Sequence, residues 1–441
     1  MTNPGPARPI RLAVLGTLLV VVAVLGVPRA LTVLAAGLEV LFVAFFLRHF
    51  AFAVAAQRSA PGDLSAPVVV DPSYAPTVSV IVACHNERSV VDGLVEAVLA
   101  LDYPPSLLQL VVVDDRSEDG TGARLDELAR DHGSRLRVLH RAPDGVGGKS
   151  AALNDALSVA TGEIIVVFDA DHQPRADVVR RLVAHFAEPT VGAVQGRCEI
   201  RNASDSPLSH LIVIDYRAGY LVNEYGRQAL FHLPAYGGAN CAVRASSLRA
   251  AGGWNPASVT EDTDLTLRLL LRGERVRFDV NAVDREEGVV TLGRFWRQRY
   301  RWARGHQQAW RDYRRLVWAT PHLTFAEKVE TTMFLFVFHL PVAAAIGLAL
   351  VTSWITGVAA PSDPLNLFVF WTLLFLGPML ELGGGLLVAG AERRNAVAVV
   401  YFLPLFLVSM ALCTKAWADS LLGREYGWVK TARAGDGLVA A

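Results

Sequence analysis

Apolar residues follow two different patterns along the chain. Long uninterrupted apolar runs lie towards both ends, at 12–27, 30–47, 333–355, 367–389 and 396–416. Between residue 78 and about residue 310, short apolar runs alternate with amphipathic stretches. Because about 20 apolar residues suffice to cross a bilayer core about 30 Å thick, this pattern predicts a soluble domain between membrane segments.

The first two runs predict a hairpin of two membrane helices within residues 1–58. A single helix over both runs would be about 54 Å long at 1.5 Å per residue, which exceeds the bilayer core. A signal peptide is the alternative for the first run, but it lacks a convincing small-x-small cleavage site. Both ends of the hairpin are expected on the cytosolic side because basic residues flank it, at Arg8, Arg11, Arg48 and Arg58.

The three later runs predict membrane or re-entrant helices over residues 329–417. The loop 357–366 lacks Lys and Arg, which suits the outside, whereas Arg393 and Arg394 suit the inside. Pro404 in the third run, with basic residues beyond it, favours a re-entrant or interfacial segment and a cytosolic tail at 418–441. We therefore expect a multi-pass protein of the plasma membrane whose soluble domain is cytosolic.

The soluble domain is predicted to be α/β. A linker rich in Pro, Ser and Ala, residues 59–77, precedes a domain expected at 78–290. Its predicted strands are 78–84, 109–113, 135–139 and 164–168, and its predicted helices are 90–100, 121–132 and 149–160. This alternation indicates a parallel sheet covered by helices, in which ligands bind beyond the carboxyl ends of the strands.

Acidic residues follow three of these strands. Glu87 comes after the first strand, Asp114 and Asp115 after the second, and Asp169 and Asp171 after the fourth. Strand side chains alternate between faces, so Asp169 and Asp171 are expected to point the same way. Such a pair suits a hard cation, Mg²⁺ or Mn²⁺, that bridges to phosphate. Solvated aspartates at the start of a helix are the alternative.

Two later stretches also carry candidate chemistry. Thr260-Glu261-Asp262 opens a predicted helix, where acids can simply cap backbone N–H groups, and Asp264 can pair with Arg268 four residues on. Residues 291–328 are predicted to form interfacial helices. Their Trp and Arg side chains suit the headgroup level of a bilayer, and equally a sugar-stacking platform with a diphosphate clamp.

Composition supports this division of the chain. Of 441 residues, 52% are hydrophobic and the mean hydropathy is +0.33, which is high for a soluble protein. Basic and acidic residues balance at 42 each, so charge gives no reason to expect a nucleic acid partner. The four cysteines are far apart and form no metal-ligand pair, so we expect reduced core residues.

Five motifs occur in a fixed order: Asp114-Asp115, Lys149-Ser150-Ala151-Ala152-Leu153-Asn154, Asp169-Ala170-Asp171, Thr260-Glu261-Asp262 and Gln298-Arg299-Tyr300-Arg301-Trp302. In this order they resemble the membrane-embedded branch of the inverting glycosyltransferase family 2. That branch includes cellulose, hyaluronan and poly-β-1,6-N-acetylglucosamine synthases, and lipid-directed relatives such as ceramide glucosyltransferase. The resemblance covers roughly residues 78–310.

The resemblance implies a GT-A, Rossmann-like fold and a role for each motif. On the donor side it implies that Asp114 and Asp115, with Glu87 nearby, hold the nucleoside and that Lys149 neutralises the diphosphate. It further implies that Asp169 contacts the nucleotide and that Asp171, with Asp169, holds Mg²⁺ or Mn²⁺.

On the acceptor side the resemblance implies that Asp262 is the general base, with Glu261 beside it at the substrate. Gln298, Arg301 and Trp302 would bind the diphosphate and the acceptor sugar. The turn Gly238-Ala239-Asn240 departs from the more polar turn common in these synthases. The segment 428–433 is weakly similar to a gating segment of some polysaccharide synthases.

The expected activity is therefore metal-dependent, inverting transfer of a sugar from a nucleotide sugar, expected to be UDP-linked, to the growing end of a polysaccharide of the cell envelope. The Gln298 to Trp302 motif favours extension over a single transfer, and export of the polymer through the membrane helices would accompany extension. Single transfer to a lipid acceptor is the alternative and would use the same residues. A non-catalytic membrane scaffold is the alternative from another class, but it predicts damaged acidic motifs, and these are intact.

Overall fold

The computed structural model describes residues 26–58, 74–142, 145, 148–358, 364–388, 402–424 and 426. A seven-stranded sheet forms the centre of the chain between its apolar ends. Its strands are β1 Val78–Cys84, β2 Leu108–Asp114, β3 Leu136–His140, β4 Ile164–Val167, β5 Val191–Ile200, β6 Cys241–Arg244 and β7 Arg275–Glu286. Their spatial order is β3-β2-β1-β4-β6-β5-β7.

The helices alternate with the first strands and dominate towards the ends of the chain. They are α1 Val27–Arg58, α2 Val91–Leu99, α3 Thr121–His132, α4 Lys149–Val159, α5 Val178–Ala184, α6 Pro207–Ala218, α7 Tyr225–Phe231, α8 Ala245–Ala250, α9 Glu261–Leu271, α10 Leu292–Ala319, α11 Phe325–Phe336, α12 Leu340–Ile355, α13 Pro364–Val388 and α14 Phe402–Leu421.

The first four strands confirm the predicted parallel α/β arrangement. β1 pairs in parallel with β2 and β4, and β2 pairs in parallel with β3. Their side chains alternate between two cores, with Val80 and Val82 in one and Ile81 in the other, and all three are fully buried. Burial on both faces explains why these strands read as continuous apolar runs.

The second half of the sheet is mixed. β6 lies antiparallel between β4 and β5, and its first residue, Cys241, pairs with Val167 at the end of β4. The glycine turn that precedes β6 therefore meets the carboxyl end of β4. This close approach is what brings residues 237–240 next to the Asp169-Ala170-Asp171 segment.

One local prediction about the fourth strand is wrong. β4 ends at Val167, so strand alternation does not extend to Asp169 and Asp171. Ala170 and Asp171 instead lie in a turn in which the His172 N–H donates to the Asp169 carbonyl oxygen over 3.1 Å. The turn is held from the side, because backbone hydrogen bonds join Gln173 to Arg285 of β7.

Among the described residues, three helical segments are long and apolar enough to cross a membrane: Val27–Arg58, Phe325–Ile355 and Phe402–Leu421. The first predicted run, most of the linker and the segment 428–433 lie outside the described residues. Pro404 lies within α14, near the start of its described part. The domain bounds and the topology of the third run stay predictions.

A buried ion cluster ties α1 to the rest of the chain. Glu330 of α11 accepts hydrogen bonds from Arg48 of α1 at 2.9 and 2.7 Å and from Arg227 of α7 at 3.2 Å. The guanidinium of Arg227 also lies 3.9 Å from the ring centroid of Phe334. Glu330 thus joins two buried cations from separate parts of the chain, and Glu224 lies 3.5 Å from Arg227 as a second carboxylate.

Glu330→Gln is expected to destabilise the protein by about 3–5 kcal/mol, because buried Arg48 loses the carboxylate that accepts its two hydrogen bonds and Arg227 loses one of its two carboxylate partners. The measurement is thermal denaturation of the purified protein in detergent. Asp312→Asn is the matched control, since Asp312 is exposed and pairs with Arg311 at the surface. Equal melting temperatures for the two variants would contradict this account of the cluster.

Candidate active site

Lys149, the first residue of α4, joins three of the motifs. Its ammonium lies 2.7 Å from Asp169 Oδ1 and 3.6 Å from Glu261 Oε1, and it donates to the Gly238 carbonyl oxygen over 3.0 Å. Burial alone would lower the pKa of Lys149, but the carboxylates of Asp169 and Glu261 raise it above its ordinary value. Lys149 is therefore a permanent cation at the carboxyl end of β4.

Asp262 lies on the other side of the same glycine turn. A Cβ built on Gly238 would come within 3.1 Å of Asp262 Oδ2, and Gly238 has a φ of +78°. Glycine is thus required at this position for both space and backbone conformation. The Asp262 Oδ1 atom accepts the Thr263 backbone N–H at 2.5 Å.

The environment of Asp262 suits proton transfer. Burial and then the neighbouring Glu261 charge raise the pKa of Asp262 to about 6, against opposing effects of Thr263, Lys149 and Arg301. A carboxylate with a raised pKa is a stronger proton acceptor and is still ionised near neutral pH.

The other acidic pair organises the loop after β2. Asp115 Oδ1 accepts hydrogen bonds from Arg116 at 2.9 Å and Arg141 at 2.8 Å, and Asp115 Oδ2 accepts the Gly148 N–H at 3.2 Å. Burial raises the pKa of Asp115, but these hydrogen bonds outweigh it and lower the pKa below its ordinary value. Because Gly148 precedes Lys149, Asp115 also fixes the start of α4.

Asp114 and Glu87 are buried in the same region. Asp114 Oδ1 accepts the Ser117 N–H at 3.1 Å, and its Oδ2 lies 3.1 Å from His140 Nδ1. The backbone N–H of Glu87 donates to Thr121 Oγ1 over 2.8 Å. The sequence predictions for Asp114, Asp115 and Glu87 therefore fall in one neighbourhood, joined to Lys149 through Gly148.

Asp169 and Asp171 suit a divalent cation whose remaining ligands come from the substrate. The Asp169 side chain is 41% exposed, so it is accessible from the open edge of the sheet. Within the described ranges, no cluster of three or more His, Cys, Asp or Glu side chains forms a complete metal cage. Mg²⁺ and its relatives bind through one or two carboxylates plus phosphate oxygens and water, and the two aspartates fit that requirement.

Helix α10 packs directly on the start of α9. A Cβ on Gly305 would lie 2.2 Å from Thr260 Cγ2, and Gln308 accepts the Val259 N–H and donates to the Ala257 carbonyl oxygen at 3.2 and 3.0 Å. The contact sets α10 against Thr260-Glu261-Asp262. Sequence reasoning missed Gly305, whose signal is a small residue three positions after Trp302.

The last motif lies half-buried on α10. Arg301 is close enough to Asp262 for its charge to oppose the raised pKa of that carboxyl. The Trp302 ring stacks with the Arg299 guanidinium, 4.2 Å from its centroid, and Gln298 lies one turn earlier. The structure therefore brings Arg301 towards Asp262 at the start of α9, while Trp302 pairs with Arg299.

Several polar residues near the site have structural roles. Asp264 pairs with Arg268 at 2.7 Å, as predicted, whereas Thr260 makes no capping hydrogen bond with its side chain. Asn240 donates to the Arg197 and Ala282 carbonyl oxygens at 3.0 and 2.9 Å. His172, which sequence reasoning missed, is buried against Asp284 and Glu286 and anchors the turn beside Asp171.

Residues 75–305 match the family model described as "Glycosyltransferase like family 2". A β-monoglucosyldiacylglycerol synthase of Synechocystis is 36% identical over 282 residues, which are 63% of this chain and 58% of that protein. A poly-β-1,6-N-acetyl-D-glucosamine synthase of Staphylococcus epidermidis is 28% identical over 245 residues, 55% of this chain and 57% of that protein. The chain thus spans little more than half the length of these relatives.

A mannosyltransferase from Pyrobaculum calidifontis, solved in complex with GDP-Man and Mn²⁺, is similar in structure. Its TM-score is 0.60 at 24% sequence identity, and the match covers 88% of this chain and 100% of that one. At this identity the likeness shows a shared fold.

Gly305→Ala is expected to destabilise the protein by about 1–3 kcal/mol, because the added methyl group overpacks the contact with Thr260. Gly293→Ala is the matched control on the same helix, since the nearest atom to its Cβ would be 4.0 Å away. Thermal denaturation of both variants measures the difference. If Gly293→Ala lost stability and Gly305→Ala did not, the contact between Gly305 and Thr260 would have room for a methyl group, which would contradict the predicted overpacking.

Proposed function

The chain belongs to the glycosyltransferase family 2 and has the GT-A fold, and from that premise we propose that it transfers a sugar from a nucleotide sugar, with inversion, to an acceptor at a membrane surface. The observation that carries the proposal is the meeting of Lys149, Asp169, Glu261 and Asp262 at one edge of the sheet.

The nucleotide sugar, proposed to be UDP-linked, lies across the carboxyl ends of β1, β2 and β4. Asp114 and Asp115 hold the nucleoside with Glu87 nearby, and Asp169 contacts the nucleotide. Lys149 is aimed at the diphosphate, where a fixed cation stabilises the negative charge that develops on the leaving group. Its hydrogen bond to the Gly238 carbonyl oxygen keeps the ammonium in place before the substrate binds.

Asp171 and Asp169 would hold Mg²⁺ or Mn²⁺. When bound, such an ion adds positive charge at the departing diphosphate and orients its oxygens. The donor chemistry of the two aspartates supports this assignment, as does the Mn²⁺ found with GDP-Man in the similarly folded mannosyltransferase.

Asp262 takes the proton of the acceptor hydroxyl as that oxygen attacks the anomeric carbon. A single displacement needs only one such base, and it inverts the configuration at that carbon. Glu261 and Lys149 tune the base from either side, and Gln298, Arg301 and Trp302 bind the diphosphate and the acceptor next to it.

We propose a lipid as the acceptor. Two kinds of support favour it over the polysaccharide that the Gln298 to Trp302 motif suggested. The higher sequence identity, 36%, is to a protein named for a glucosyldiacylglycerol product. The membrane helices beside α10 also line an apolar cavity. Polysaccharide extension is the second candidate, favoured by the motif and by the poly-β-1,6-N-acetyl-D-glucosamine synthase.

The domain layout proposed with this function keeps the predicted bounds. A glycosyltransferase domain at 78–290 and interfacial helices at 291–328 lie on the cytosolic side of a plasma membrane, where nucleotide sugars are made. Membrane segments at 1–58 and 329–417 flank them. The three apolar helical segments support this arrangement.

Asp262→Asn is expected to lower the turnover number by about 10²- to 10⁴-fold, because the amide cannot accept the proton. Nucleotide-sugar binding should stay within about twofold, since Asp262 does not hold the donor. Radiolabelled sugar transfer and equilibrium binding measure the two quantities. Near-normal turnover would refute the assignment, and exposed Asp102→Asn serves as the control.

The activity is expected to fall below about pH 6. Asp262 acts as a base only when ionised, and its pKa of about 6 means that acidification protonates it earlier than an ordinary aspartate at 3.8. Below that pH, kcat/KM should drop about tenfold per pH unit, with a plateau above it. A plateau that continues to pH 4 would contradict the role of Asp262.

Product length distinguishes the two acceptors. Purified protein with a labelled UDP-sugar, Mg²⁺ and diacylglycerol in mixed micelles is expected to give one labelled lipid. This result is expected because the proposed active site acts on a single acceptor hydroxyl and the neighbouring cavity is apolar. Thin-layer chromatography and gel electrophoresis measure product size. A polymer ladder would establish the second candidate in place of the first.

A further inference from the structure

A cavity of about 230 Å³ lies between the membrane-facing helices and α10. Its wall is mainly hydrocarbon and comes from α13, α14 and the segment 337–341, with Leu382, Phe402 and Leu412 among the residues that face it. Pockets for whole small-molecule ligands start at about 300 Å³, so the cavity has room for part of a lipid chain only.

The charged groups at the cavity already have partners. Arg299 and Asp215 pair at 2.5 Å, and Glu381 pairs with His49 at 2.7 Å. A sugar polymer needs many hydrogen-bonding groups along its path, whereas this wall offers aliphatic and aromatic carbon. The chemistry of the wall therefore suits an alkyl chain.

The cavity contacts the motif Gln298 to Trp302 on α10 through Arg299. Phe295 and Arg299, one helical turn apart, line it, and the Arg299 guanidinium stacks on Trp302. Arg301, on the same stretch of helix, is near Asp262. A lipid with its chain in the cavity would thus have its polar end beside Arg299 and Trp302.

We propose that this cavity binds an acyl chain of a glycerolipid acceptor and so positions the acceptor hydroxyl for transfer. This inference rests on the function proposed above. On this proposal the acceptor specificity depends on the contact of α10 with α14 and not on the turn Gly238-Ala239-Asn240. Displacing the chain should weaken acceptor use, because the chain loses its packing contacts with the cavity wall.

Ser409→Phe tests the inference, because Ser409 lines the cavity and a ring there would fill it. Leu407→Phe is the matched control on the same helix, since Leu407 is 47% exposed and faces away from the cavity. With dioleoylglycerol as acceptor, Ser409→Phe should raise KM and so lower kcat/KM, on the order of tenfold, because the chain loses its packing contacts with the wall. Hydrolysis of the nucleotide sugar by water should stay unchanged in both variants.

A second measurement uses the unmodified protein and does not depend on activity. A diacylglycerol with a photoreactive diazirine near the end of one chain should label the cavity-facing residues of α14, and excess dioleoylglycerol should suppress that labelling. Label spread evenly over exposed and cavity-facing residues would overturn the inference, as would equal kinetics of the two variants.

The failures of the inference and of the proposed function are distinguishable. If the protein transfers sugar to dioleoylglycerol but Ser409→Phe behaves like Leu407→Phe, the cavity assignment is wrong and the function stands. If no acceptor or water takes sugar from any nucleotide sugar, the proposed function is wrong and the inference falls with it.

Discussion

The candidate site depends on one buried positive charge. Lys149 faces the carboxylates of Asp169 and Glu261, which would otherwise stand uncompensated at the carboxyl end of β4. Removing one partner from such a cluster leaves buried charge that is costly to keep. The same ammonium limits the rise in the pKa of Asp262 and stands where the diphosphate would bind. Lys149 thus stabilises the fold and also takes part in the proposed chemistry.

Sheet topology brings the other groups to this charge. Because β6 runs antiparallel beside β4, the turn at Gly238 reaches Lys149 from 89 residues away in sequence. Helix α10 then packs on Thr260 through Gly305 and brings Arg301 towards Asp262. The same helix lines the apolar cavity with Phe295 and Arg299, so the proposed acceptor and donor sites both involve α10.

Local pattern predicted much of this arrangement. The apolar runs predicted the parallel strands β1 to β4, and the five ordered motifs pointed to the family. The prediction that strand alternation extends to Asp169 and Asp171 was wrong, because β4 ends at Val167 and the chain then turns. The antiparallel β6 and the anchoring of His172 by Asp284 rest on partners far apart in sequence, 112 residues for the second pair, and no local signal encodes them.

The anomeric configuration of the product tests the central claim most directly, since one base and a single displacement require inversion. Nuclear magnetic resonance of the glycosylated lipid, made from a nucleotide sugar of known α configuration, identifies the new linkage. Inversion of the α-linked donor predicts a β-linked product. An α-linked product would mean two displacements or a different mechanism, and the assignment of Asp262 as the sole base would be wrong.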